Sequence, residues 1–96
     1  MSEDILKELF RKKYSAKAEK ITPVKADASE RKIFLLSSGD TECIGVINDN
    51  VNENIAFIEF SKKFRNAGFN VPEIYEVADD RKCYIEEYLG FFYINY

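Results

Sequence analysis

The chain contains no histidine, no tryptophan and only two cysteines in its 96 residues. Without histidine, a Ser-His-Asp triad, a Cys-His pair and a histidine metal site are impossible within this chain. Cys43 and Cys83 stand 40 positions apart and do not suffice for a closed zinc site. General acid–base chemistry would fall to carboxylates, lysine or tyrosine. The composition therefore argues against a self-contained enzyme.

Charge and hydropathy restrict the partners and the compartment. Lys and Arg number 14 against 17 Asp and Glu, and this net charge of −3 argues against nucleic acid as the main partner. No apolar run approaches the ~18 residues of a membrane span, and residues 1–13 are too charged for a signal peptide. We therefore predict a cytoplasmic chain with reduced thiols and no membrane contact. Hydrophobic residues make up 46% of the chain, which suffices for one modest core.

Residues 3–19 are predicted to form a helix. Ser2 is a candidate N-cap, and the acidic Glu3 and Asp4 in the first turn favour the positive end of a helix dipole. An apolar stripe at helical spacing consists of Ile5, Leu6, Leu9, Phe10 and Tyr14. We expect this helix to pack on the body of the domain, the alternative being a helix that binds a partner.

Three strands are predicted next, over residues 21–27, 32–37 and 43–48, with a turn at residues 38–41. The short connections favour an antiparallel meander. The third strand is apolar at successive positions, so both of its faces should be buried. We therefore expect it to be central in the sheet, with a covering element on each side.

A second helix should begin after Asn50, which fits a capping box with Glu53. We expect it to run to about Ala67, with Gly68 just past its end. Apolar side chains cover more than half of its circumference near the N-terminus, so it is buried on more than one side or meets a second body.

Two further strands are predicted over residues 73–78 and 82–88, joined by a tight turn at Asp79-Asp80. The order of elements is thus helix, three strands, helix, two strands. This order predicts one α+β domain with a five-stranded antiparallel sheet.

Three stretches of this sequence resemble the N-terminal lobe of the aminoglycoside/choline-kinase-like phosphotransferases, which have a protein-kinase-like fold. They are Ala28-Ser-Glu-Arg-Lys-Ile-Phe34, Ile44-Gly-Val-Ile-Asn-Asp-Asn50 leading to Asn54-Ile-Ala-Phe57, and Asn70-Val-Pro-Glu-Ile-Tyr75 leading to Tyr84-Ile-Glu-Glu-Tyr-Leu-Gly90. The resemblance spans about residues 20–90 and implies a kinase-like N-lobe with its helix C there. The predicted N-terminal helix at 1–19 precedes this lobe, and an aromatic tail at 91–96 follows it.

In that family the small lobe covers ATP, while a helical C-lobe supplies the catalytic Asp and the Mg²⁺ ligands. The chain ends at Tyr96, just past the expected hinge, so we expect the catalytic lobe to be missing. The resemblance then implies a lobe that binds ATP weakly, that needs the C-lobe for Mg²⁺, and that is inactive alone. The alternatives are a stand-alone interaction or dimerisation module that retains the fold, and the regulatory or dimerising subunit of a split kinase.

The resemblance assigns Ser29 and Arg31 to a phosphate-binding turn, where a hydroxyl, backbone amides and a cation would meet phosphate oxygens. The family's glycines are replaced by Ala26-Asp27-Ala28, which leaves an ordinary polar hairpin turn as the alternative.

The third kinase strand normally carries a lysine that pairs with a glutamate on helix C. Here Asn48 takes the place of that lysine, so the charge of the phosphate clamp is lost or comes from elsewhere. Glu53 is the nearest helix acid, although Asn54 is the other possible aligned position. The alternative role of Glu53 is capping alone.

The hinge of the resemblance lies at Glu87 and Leu89, whose backbone C=O and N–H would meet the adenine edge. Any side chain allows this, so the alternative is a segment that simply leaves the sheet.

The uncharged aromatic tail at 91–96 departs from the family, whose members carry an acidic run there. Such a segment should be buried. We therefore expect it to fold back over the uncovered face of the lobe or to pair with another copy, giving a homo-oligomer.

The resemblance also places Cys43 and Cys83 on neighbouring strands, where the two thiols could come close. We expect two packed thiols and no disulfide.

Overall fold

A computed structural model describes residues 2–25 and 31–90 of the chain. The two helices of these ranges are α1 (Ser2–Tyr14) and α2 (Val51–Asn66). The strands are β1 (Lys20–Lys25), β2 (Lys32–Ser38), β3 (Thr41–Ile47), β4 (Ile74–Val77) and β5 (Cys83–Glu86). All neighbouring strands pair antiparallel in the order β1-β2-β3-β5-β4. The α+β class and the five-stranded antiparallel sheet are therefore confirmed.

The third strand lies at the centre of the sheet, as its apolar pattern predicts. Its side chains alternate between two separate cores, with Cys43 in one and Ile44 and Val46 in the other. Helix α1 lies in the first core and α2 in the second, so the sheet is covered on both faces. The expectation of a covering element on each side of this strand is confirmed.

The α1 core joins one stripe of the helix to one face of the sheet. Its buried members are Leu6, Leu9, Phe10, Ala18, Phe34, Leu36, Cys43, Ala78, Cys83 and Ile85. Helix α1 therefore shares its core with the strands, as a helix packed on the body of the domain should.

The α2 core is smaller. Its buried members are Ile33, Ile44, Val46, Ile58 and Tyr84, with Val24, Leu35, Ile74, Val77, Tyr88 and Leu89 partly buried around it. Only Ile58 and the half-buried Phe57 come from α2. The apolar contact of α2 with the sheet is thus made by a small part of the helix.

Helix α1 is shorter than predicted. It ends at Tyr14 instead of residue 19, because Ser15 takes a left-handed conformation with φ +56°. The Ser15 N–H still donates to the Arg11 carbonyl oxygen at 2.8 Å. The chain then turns back, and Glu19 N–H pairs with the Ser37 carbonyl at 2.8 Å.

Helix α2 begins and ends close to the predicted positions. The Asn50 side chain caps it by accepting a hydrogen bond from the Glu53 N–H at 3.1 Å. At its other end, Gly68 has φ +95° and donates to the Arg65 carbonyl at 3.0 Å. Only glycine adopts this conformation without strain, so the residue sets the end of the helix.

The remaining strand boundaries differ from the predicted ones by one or two residues, and the turn at Asp79-Asp80 is present. The predicted first strand extends past Lys25 into residues outside the described ranges. Both outer strands are irregular, because the register of β1 shifts between Pro23 and Lys25 and that of β4 between Ile74 and Glu76.

Candidate functional site

Arg31 and Asn48 lie side by side at one end of the sheet. Because Lys32 pairs with Ile47, the register places Arg31, just before β2, across from Asn48, just after β3. Both belong to the series of residues that faces α2, together with Ile33 and Val46. Glu53 in the first turn of α2 completes the group, so three predicted site residues come together here.

Asn48 connects β3 to the beginning of α2. Its side-chain Nδ2 donates to Glu53 Oε1 at 2.8 Å, and its Oδ1 accepts from the Asn50 N–H at 3.1 Å. Its backbone N–H donates to the Lys82 carbonyl at 2.9 Å. A buried amide thus fixes the carboxylate of Glu53 at the place where the resemblance expects a lysine–glutamate pair.

This geometry corrects the predicted capping box. Asn50 caps the helix, but the carboxylate of Glu53 accepts from Asn48 and not from the Asn50 N–H. The Asn50 N–H is satisfied by Asn48 instead. The role of the Glu53 side chain is therefore not capping alone, because it accepts a hydrogen bond from Asn48 at the end of β3.

Asn54 is the residue whose importance the sequence left undecided. It is 1% exposed, and its Nδ2 donates to the Asn48 carbonyl at 2.8 Å and to the Arg81 carbonyl at 2.7 Å. It thereby ties α2 to the ends of β3 and of the β4–β5 turn. One signal was available, since Asn54 shares the buried helical face of Ile58 and Ser61 and is too polar for that face without partners.

Arg31 is held by two aromatic residues that sequence reasoning did not associate with it. Its Nη2 donates to the Tyr84 hydroxyl at 3.1 Å, and its guanidinium carbon lies 4.9 Å from the ring centre of Phe57. The rings of Phe57 and Tyr84 stack with centres 6.1 Å apart. The guanidinium is therefore oriented by groups on α2 and β5.

The two predicted hinge residues, Glu87 and Leu89, lie at the other end of the α2 face. Glu86 pairs with Ile44, four residues before Asn48, which corresponds to about 13 Å along the strand. The Glu87 carboxylate accepts a hydrogen bond from Arg65 Nη1 at 3.3 Å. The backbone N–H of Glu87 donates to the Glu73 carbonyl at 2.8 Å. These bonds tie the predicted hinge segment to the last turn of α2 and to the residue before β4.

Leu89 packs with Tyr88 against the α2 core. The structure thus divides the predicted site residues into a polar group around Asn48 and a hinge group at Glu87 and Leu89. Ser29, the remaining predicted phosphate contact, lies outside the described residues, as does the tail at 91–96.

The thiols lie on the α1 face. Burial, with a smaller contribution from the carboxylate of Glu86, raises the pKa of Cys43 to about 12. Burial also raises the pKa of Cys83, and that of Tyr14, whose hydroxyl interacts with the Cys43 thiol. A thiol that stays protonated at neutral pH is a poor nucleophile, so no thiolate chemistry is expected from either cysteine.

The expected closeness of the two thiols is wrong. Cys83 pairs with Ile47, which is four residues from Cys43, so the two cysteines lie about 13 Å apart along the sheet. A disulfide needs Cα atoms within about 7 Å. Strand adjacency is correct, but the register separates the residues, and both cysteines are free.

Two surface grooves lie among the described residues. One of about 490 Å³ runs along α1 and the segment after it, and one of about 230 Å³ lies between α2 and β4. Neither is lined by Arg31, Asn48, Glu53, Glu87 or Leu89.

Within the described ranges, no group of three or more cysteine and carboxylate side chains is placed to hold a metal ion. Neither α1 nor α2 is long and apolar enough to cross a membrane.

No protein-family model, no curated protein and no solved structure matches this chain. The resemblance to the phosphotransferase lobe remains a prediction from the quoted motifs.

Proposed function

We propose that this chain is the ATP-binding small lobe of an aminoglycoside/choline-kinase-like phosphotransferase, with catalysis and Mg²⁺ binding left to a second lobe. The observation that carries the proposal is the 2.8 Å hydrogen bond between Asn48 and Glu53. It joins the end of the central strand to the first turn of the following helix, the place where a kinase lobe joins its third strand to helix C.

The separation of the two residue groups also supports the proposal. A nucleotide carries a base at one end and phosphates at the other, and the α2 face has hinge backbone at one end and a cation at the other. Between them, the partly buried Val24 and Leu35 adjoin Ile44 on the same face. In this proposal the base packs on the partly buried Val24 and Leu35 near Leu89, and the phosphates extend toward Arg31.

The same geometry supports a lobe that is inactive alone. Phosphoryl transfer depends on positioning and on neutralising charge, mainly through metal ions and cations. Asn48 is uncharged where the resemblance expects a lysine, so this lobe supplies less of that charge by itself. The cytoplasmic location and the need for a second lobe belong to this proposal.

Thermal unfolding with Mg-ATP tests the proposal. A bound ligand at free concentration c stabilises the folded state by RT ln(1 + c/Kd), which is ~0.4 kcal/mol at a concentration equal to Kd and ~2.7 kcal/mol at 100 times Kd. Millimolar ATP should therefore raise the melting temperature measurably even for a weak site. Amide NMR shifts should change at the Asn48 and Leu89 ends of the α2 face. An unchanged melting temperature and spectrum at millimolar ATP would contradict the proposal.

A matched pair of variants locates the site. Val24, Leu35 and Ile44 form an apolar strip on the α2 face. Leu35→Trp covers this strip with a bulky ring and should weaken ATP binding. Lys32→Trp adds the same side chain to the same strand at an exposed position, and ATP binding should not change. Equal effects of both variants would exclude the strip as the base site.

A second candidate function is supported by a separate observation. Phe60 and Phe69 are 53% and 57% exposed, and the rings of Phe60, Phe64 and Phe69 form a chain with centres 4.2 and 5.2 Å apart. Clustered exposed aromatic rings are typical of interaction surfaces. This aromatic flank of α2 favours a stand-alone interaction or dimerisation module.

Sedimentation velocity separates the two candidates. An interaction module that self-associates should form dimers that dissociate in Phe60→Ser/Phe69→Ser. Ile55→Ser, an exposed apolar residue on the opposite flank of α2, serves as the control. A wild-type monomer at high concentration would count against self-association through this flank.

A further inference from the structure

We propose that Arg31 supplies the positive charge that Asn48 lacks, and that Tyr84 and Phe57 hold its guanidinium in position to bind the phosphate oxygens of the nucleotide. The inference rests on the proposed function and names the charged group of that site. It also assigns Tyr84 and Phe57 as positioning residues.

Adjacency is the first step. Arg31 and Asn48 are cross-strand neighbours on the α2 face, as the pairing of Lys32 with Ile47 requires. An arginine side chain at position 31 is long enough to reach the space that a lysine side chain at position 48 would occupy. The guanidinium contacts Phe57 of α2, so the charge lies on the same side of the sheet as Glu53.

Orientation is the second step. The Tyr84 hydroxyl is on a fully buried side chain and accepts one hydrogen bond from Nη2 at 3.1 Å. The Phe57 ring supports the guanidinium through a cation–π contact at 4.9 Å. Both contacts restrict the rotamers of Arg31. Less side-chain entropy is therefore lost when the guanidinium binds a phosphate.

Charge is the third step. A guanidinium has five N–H donors in a planar fork and binds phosphate oxygens in a bidentate manner. The nearby carboxylate of Glu53 accepts from Asn48 at 2.8 Å. Asn48 therefore keeps the acid on the α2 side of the cluster, and an arginine replaces the lysine of the clamp.

Binding of ATP, ADP and adenosine to the whole chain, measured by calorimetry, tests the inference. Arg31→Gln should weaken ATP and ADP binding by about tenfold or more, because a charged hydrogen bond is lost, and should leave adenosine within about twofold. Lys32→Gln removes the same charge one residue away at an exposed position and should leave all three affinities within about twofold. Arg31→Lys should retain part of the ATP affinity.

The positioning residues have their own readout. Tyr84→Phe removes only the hydroxyl and should weaken ATP binding less than Arg31→Gln does, with adenosine unaffected. In an Arg31→Gln background Tyr84→Phe should have no further effect on ATP. Additive losses in the double variant would show that Tyr84 acts independently of Arg31.

Failure of the inference is distinguishable from failure of the proposed function. If the wild-type chain binds neither ATP nor adenosine, both are overturned. If it binds ATP and Arg31→Gln behaves like Lys32→Gln, or loses adenosine equally, only the role of Arg31 is overturned. Urea unfolding of each variant at matched pH verifies that the fold is retained, and Arg31→Lys supplies the comparison if Arg31→Gln is unstable.

Discussion

Leu6 of α1 lies directly over Gly45 of β3. A Cβ atom at Gly45 would come within 2.9 Å of Leu6 Cδ1 and 2.6 Å of Leu36 Cδ1. Since real Cβ contacts are essentially never this short, the absence of a side chain at position 45 permits the close approach of the helix. The packing of α1 on the sheet thus depends on this glycine.

Gly45→Ala should therefore destabilise the chain. Overpacking in a closed core costs about 1–3 kcal/mol, and urea unfolding should show a loss of this size. The loss should shrink in a Leu36→Ala background, where the nearest methyl group is removed. A penalty that is identical in both backgrounds would show that crowding is not its cause.

Asn54→Leu should lower the free energy of unfolding markedly, although the two side chains are similar in size. The substitution leaves the carbonyls of Asn48 and Arg81 without their shared donor, at a cost of about 1–3 kcal/mol for the buried carbonyl of Asn48. Asn52→Leu, at an exposed position in the same turn, is the matched control and should change the free energy of unfolding by less than about 0.5 kcal/mol. Comparable losses in both variants would contradict the role assigned to Asn54.

Asn50→Ala should lower the stability of α2 by about 1 kcal/mol, because the Glu53 N–H loses its acceptor. Asn50→Asp keeps an acceptor at the cap and should be tolerated. Urea unfolding followed by circular dichroism measures both. A variant Asn50→Asp as unstable as Asn50→Ala would show that capping is not the role of this side chain.

Cys43 should make the chain sensitive to alkali. Its folded-state pKa of about 12 lies above the reference value of 9.0, so the folded chain holds this proton more tightly than the unfolded chain. The stabilisation is complete below about pH 9 and is lost as the pH rises toward about 12. Burial raises the pKa of Tyr75 too, so this residue contributes with the same sign.

Urea unfolding at about pH 8 and about pH 11 measures this loss. Cys43→Ala should show a smaller decrease between the two pH values than the wild type, while Cys83→Ala tests the other buried thiol. In the folded wild type at about pH 8, a disulfide reagent should react slowly with both thiols and rapidly after denaturation. Rapid reaction in the native chain would contradict their burial.

The sequence predicted elements more successfully than contacts. The apolar residues of β3 on both strand faces sufficed to place it at the centre, because a strand buried on two sides cannot lie at an edge. The predicted end of α1 was wrong because Ala16, Lys17 and Ala18 are acceptable in a helix. The helix stops where Ser15 adopts a left-handed conformation, and the sequence has no glycine there to indicate it.

The candidate site was predicted only in part. The resemblance selected Arg31, Asn48 and Glu53, which the fold brings together. Their partners were not predictable, because the Arg31–Tyr84 hydrogen bond joins residues 53 positions apart and depends on the register of three strands. The same lack of register information produced the wrong expectation for Cys43 and Cys83.

The irregular outer strands have a consequence for how copies of the chain can meet. A flat edge offers an uninterrupted row of backbone groups on which a foreign strand can grow. Here the shift between Pro23 and Lys25 breaks that row at β1, where proline also removes a donor, and the shift between Ile74 and Glu76 breaks it at β4. Within the described part of the chain, growth of the sheet from copy to copy is therefore disfavoured at both margins.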